Sequence, residues 1–111
     1  MITVLVVGPR ERAQDLDAAA ARNPSIELLH AAELEEALDR LARNRRIDAV
    51  LLLVETEAAR EIAETVLEED PAGPPMFSAG TPPEIPGVRA LGGSSARELL
   101  DSLAHELRAD S

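Results

Sequence analysis

The chain has no cysteine, so disulfides, thiol catalysis and thiolate metal sites are all excluded. Lysine is also absent, and all eleven basic residues are arginine. That removes Schiff-base chemistry, a phosphate-loop lysine and a lysine general base together. An Ala- and Arg-rich coding bias accounts for the missing lysine without any functional cause. Phe77 is the only aromatic residue, which leaves no stacking platform for single-stranded nucleic acid. Basic charge is in short supply as well. The formal net charge of -10 repels phosphate backbones and anionic lipid. The longest apolar runs, Val4–Val7 and Ala49–Val54, are far too short to cross a bilayer. The start, Met1-Ile2-Thr3-Val4, has neither a charged leader nor a cleavage site, so a cytoplasmic location is expected.

What remains is ordinary for a globular protein. The 111 residues fit one domain, 1–111, and 45% are hydrophobic, enough for a real core. The segments alternate. Ile2–Val7 is a β-branched and leucine run closed by Gly8-Pro9, the pattern of a fully buried strand. Pro9 suits the first turn of a helix, which carries Ala13, Leu16 and Ala20 on one face and stops at Asn23-Pro24. Ser25–His30 reads as a second strand. From Glu33 to about Arg45, Leu34, Ala37, Leu38 and Leu41 follow helical spacing. Ile47–Val54, without polar alternation, should be a central strand covered on both faces.

A third helix is expected over Thr56–Glu69, then strands at Pro75–Ala79 and Gly87–Leu91. The last helix opens with Ser95 and Glu98 at capping-box spacing and buries Ala96, Leu99, Leu100, Leu103 and Leu107. Such a β-α alternation implies a mostly parallel sheet with helices on both faces and right-handed crossovers. Gly80–Gly87 breaks the rhythm. Three prolines in eight residues cannot form a crossover helix, so an extended Pro-rich loop is expected there.

Four stretches in this order resemble the receiver domain of response regulators. They are Val4-Leu5-Val6-Val7, Asp48-Ala49-Val50-Leu51-Leu52-Leu53, Pro75-Met76-Phe77-Ser78-Ala79, and Gly87-Val88-Arg89-Ala90-Leu91 followed by Glu98-Leu99-Leu100. The resemblance implies a flavodoxin-like, three-layer α/β/α domain with a five-stranded sheet of order 2-1-3-4-5. Here the fourth helix would be replaced by the Pro-rich loop. Receiver chemistry needs two carboxylates after the first strand to hold Mg²⁺ and an aspartate ending the third strand as nucleophile. A hydroxyl residue and a lysine then contact the phosphoryl group. The resemblance puts Gly8 and Pro9 at the acidic pair, Leu53 at the nucleophile and Gly92 at the lysine. Only Ser78 keeps its chemistry. A degenerate pseudo-receiver of a two-component type is implied, with no catalytic residue, metal or cofactor.

Arg10 and Glu55 flank that cleft and could pair across it, although a solvated rim is the simpler account of both. Gly92-Gly93-Ser94-Ser95 reads as an N-cap turn rather than an anion seat. His30 and His105 lack paired ligand spacing. Residues 55–70 hold seven carboxylates against Arg60, the pattern of a solvated helix face. The expected function is phosphorylation-independent signalling or scaffolding through another protein or another domain of a larger chain, with a homodimer as one form. The alternative is a small-ligand or nucleotide-binding module using the strand-end crevice. No G-x-G-x-x-G follows the first strand, which counts against it. No nucleophile–base pair supports an enzyme. Loss of the fourth helix would bare an apolar strip, so Phe77 (or Met76), Ile85, Pro86 and Leu103 are the expected partner-binding residues.

Overall fold

A computed structural model describes residues 2–43, 46–54, 56–69, 73–79, 88–91 and 95–109. The strands are β1 (Ile2–Val7), β2 (Ile26–Ala31), β3 (Ala49–Leu52), β4 (Met76–Ala79) and β5 (Val88–Leu91). The helices are α1 (Arg10–Ala21), α2 (Leu34–Arg43), α3 (Thr56–Glu69) and α4 (Ala96–Ala109). All strand pairs are parallel, and the order is β2-β1-β3-β4-β5, as the resemblance implies. The expected Pro-rich loop at 80–87 lies outside the described residues, as does the expected partner contact at Ile85 and Pro86.

Strand pleating divides the core. Leu5, Val7, Val50, Leu52 and Met76 face α2 and α3, meeting Ala37, Ala59, Ile62, Ala63 and Val66. Val4, Val6, Ala49, Leu51 and Phe77 point the other way, onto Ala13 and Leu16 of α1 and Leu100 and Leu103 of α4. Both sheet faces are thus buried, which is why β1 and β3 read as unbroken apolar runs. Phe77 and Leu103 are each 0% exposed, and Met76 is 2% exposed. This corrects the expectation of a bare strip at these residues. Adjacent residues of β4 enter opposite layers, and each layer is covered by its own helix pair.

The ends are set by local chemistry. Arg22 and Asn23 N–H close α1 on the carbonyls of Ala19 and Ala20, and Asn23 Oδ1 accepts the Ser25 N–H at 3.1 Å to turn the chain into β2. The strand expected over Ile47–Val54 is shorter, because its ends are tied by single bonds rather than by a ladder. Asp48 N–H donates to the Thr3 carbonyl at 2.7 Å, and the Thr3 N–H donates to Asp48 Oδ2 at 2.8 Å. This reciprocal latch fixes the register of β3 beside β1 at the edge where strands begin. The expected cap on the last helix forms, with Glu98 N–H donating to Ser95 Oγ at 3.3 Å.

Candidate functional site

In an open parallel sheet, ligands and chemistry sit beyond the carboxyl ends of the strands. There the register aligns Val7 with Leu52 and Leu52 with Ser78, so β1, β3 and β4 end side by side. The next residue of β1 is Gly8, and the next of β3 is Leu53. The two are in direct contact. Gly8 has φ +153°, a conformation that side chains disfavour, and a methyl group placed on it would lie 2.8 Å from the Leu53 carbonyl oxygen and 2.9 Å from Leu53 Cβ. Neither partner is free to retreat. Gly8 N–H donates to the Ala31 carbonyl at 3.0 Å, and Leu53 N–H to the Val7 carbonyl at 2.8 Å.

Leu53 itself is 7% exposed and packs into the layer under α1 and α4. The ends of β1 and β3 therefore meet in a close backbone approach, with the Leu53 side chain buried beside it. Pro9 and Arg10 are exposed on the rim as α1 begins. Glu55, the residue that could pair with Arg10, and Gly92, which the resemblance sets at the lysine position, lie outside the described residues. Among the described residues no group of three His, Asp or Glu side chains converges as a metal site would require. His30, which ends up within β2, instead meets Asp17 of α1, with Nε2 2.7 Å from Oδ1. Thirteen residues separate this pair, and sequence spacing gives no sign of it.

Ser78 is the one polar side chain among the described residues that is buried, at 7% exposure, and its Oγ has no hydrogen-bond partner. A hydroxyl in that condition costs roughly 1–3 kcal/mol. Ser78→Ala is accordingly expected to leave stability unchanged or raise it by about 1 kcal/mol. Urea unfolding measures this; a loss of about 1 kcal/mol would reveal a bond made by the hydroxyl in solution.

No protein-family model matches the chain, and no curated protein sequence matches it. Solved structures do. CheY4, a chemotaxis response regulator of Vibrio cholerae, superposes with a TM-score of 0.74 at 20% identity, over 95% of this chain and 98% of that one. The pseudo-receiver domain of the CikA protein gives 0.68 at 17% identity, over 97% and 98%. A structure of the phosphorylated P1 domain of CheA3 in complex with CheY6 from R. sphaeroides gives 0.67 at 22% identity, over 96% and 97%. With its strand order, its paired helical layers and its near end-to-end superposition on these domains, the chain has the response-regulator receiver fold.

Proposed function

We propose that residues 1–111 act as a single pseudo-receiver domain, passing a signal or holding an assembly together through protein–protein contact without being phosphorylated. The Gly8–Leu53 contact carries this reading. Phosphoryl uptake requires a carboxylate nucleophile and oxygen ligands for Mg²⁺, and a leucine supplies neither. A domain that keeps the fold but has closed the strand-end pocket retains its surfaces as its means of action. The likeness to a domain described as a pseudo-receiver, and to a chain crystallised with a partner domain, supports a protein partner. The partner is another protein or another domain of a larger chain, in the cytoplasm, and the domain is not an enzyme. No described helix is long and apolar enough to cross a membrane.

Incubation with acetyl phosphate and Mg²⁺ is expected to leave the intact mass unchanged. Beryllofluoride with Mg²⁺ is expected to leave the amide NMR spectrum unchanged around Gly8, Leu53 and Ser78. A gain of one phosphoryl group, or shifts clustered at those residues, would overturn the reading. A second reading, a small ligand in the strand-end crevice, has the unpartnered Ser78 hydroxyl in its favour. Thermal shift with a panel of nucleotides and cyclic dinucleotides separates the two.

A further inference from the structure

Helices α1 and α4 each follow a strand of one parallel sheet and cover the same face, so both run back from the same sheet edge. Between them lies a groove of about 770 Å³. On the α1 side it is lined by Asp15, Ala18 and Ala19 and by the C-cap residue Arg22, spaced i, i+3, i+4, i+7 along one stripe. Arg97, Leu100 and Asp101 line it on α4, again on one stripe. The floor is small and apolar: Ala19 and Ala96 are half-buried, Leu100 is buried, and Ala18 is exposed. Small side chains at this position let another helix come close.

The rim carries four charges, and all four are exposed. Among the described residues none of Asp15, Arg22, Arg97 and Asp101 takes part in an ion pair. Their order is the informative feature. Read from the shared edge, α1 presents acid and then base, whereas α4 presents base and then acid. A two-fold axis laid across the groove sets α1 against α1 of a second copy, with Asp15 facing Arg22. The same axis opposes Arg97 to Asp101 on α4. An axis laid along the groove sets α1 against α4, with Asp15 facing Arg97 and Arg22 facing Asp101. In either arrangement the order of charges lets each aspartate reach an arginine of the second copy. Self-complementarity of this kind is what an isologous interface requires of a single patch.

The surroundings favour the same occupant. The chain carries a net charge of -10, and the outer side of α3 exposes Glu57, Glu61, Glu64 and Glu68, so two copies repel over much of their surface. The α1–α4 rim sums to zero, two aspartates against two arginines, and carries both signs where a copy would land.

We infer that the α1–α4 groove is a homodimer interface in which a second copy docks by two-fold symmetry, pairing Asp15 and Asp101 with Arg22 and Arg97 of its partner. This adds a surface to the proposed signalling role and is independent of whether the strand-end cleft takes phosphate. Sedimentation equilibrium of the whole chain, from micromolar to millimolar concentration, tests it. The wild type is expected to dimerise. Arg22→Asp and Arg97→Asp are each expected to weaken the dimer by roughly tenfold or more while circular dichroism melts confirm the fold. The double reversal Asp15→Arg with Arg22→Asp restores association if α1 faces α1; Asp15→Arg with Arg97→Asp restores it if α1 faces α4. One of the two is expected to rescue. A wild type that stays monomeric, reversals without effect, or failure of both rescues each overturns the interface. Sedimentation does not report phosphorylation, so this inference and the pseudo-receiver reading fail separately.

Discussion

Leu53→Asp, which places an acid at the end of β3, is expected to destabilise the fold by about 2–4 kcal/mol. The side chain is 7% exposed and sits among Val6, Leu51, Phe77 and Leu91 in the layer beneath α1 and α4. A carboxylate there loses its water, and the contact with Gly8 supplies no donor in return, since the Gly8 N–H is already given to Ala31. The substitution also removes an aliphatic group from a packed layer. Urea or guanidinium unfolding with an unchanged slope would isolate the effect as a change in stability. A neutral or stabilising result would mean that residue 53 reaches solvent, and that the strand-end pocket is open to a ligand. Leu53→Ala separates the two costs, because it empties the site without burying a charge.

The strands and the helices were legible because parallel strands covered on both faces leave unbroken aliphatic runs, and because Ser95, Asn23 and Pro9 mark helix ends chemically, whereas the strand order came from the resemblance to receivers. What escaped is what depends on pleat and register. Met76 and Phe77 are neighbours in sequence, and only the pleat sends them to opposite layers, so a strip that exposes either was a misreading. Leu103 shares a stripe with Leu100, and that spacing alone argues for burial. Gly8 reads as a turn residue in sequence. Its contact with Leu53 follows from the pairing of Val7 with Leu52, a relation between residues far apart in the chain. The His30–Asp17 pair and the α1–α4 groove are invisible for the same reason. Each needs elements that are distant in sequence to be neighbours in space.

Gly8→Ala is expected to cost about 2–4 kcal/mol, although it adds a single methyl group. Two penalties combine. At φ +153° a residue with a Cβ is strained wherever it sits, and here the new carbon lands 2.8 Å from a carbonyl oxygen. That oxygen belongs to Leu53, whose N–H is bonded to Val7 at 2.8 Å, so the sheet would have to distort before the contact could relax. A double-mutant cycle identifies the opposing atoms. If the clash is with the Leu53 backbone and Cβ, the cost of Gly8→Ala persists in a Leu53→Ala background, with a coupling energy below about 0.5 kcal/mol. Relief of most of the cost in that background would place the clash on the leucine side chain instead. The outcome also bears on function. An acid at position 8 needs the same Cβ, so a penalty that survives truncation of Leu53 means that no carboxylate can be placed there without moving the end of β3. Replacing residues 8 and 53 together would then add two acids without opening the strand ends, and the pair would be expected to cost more than either change alone.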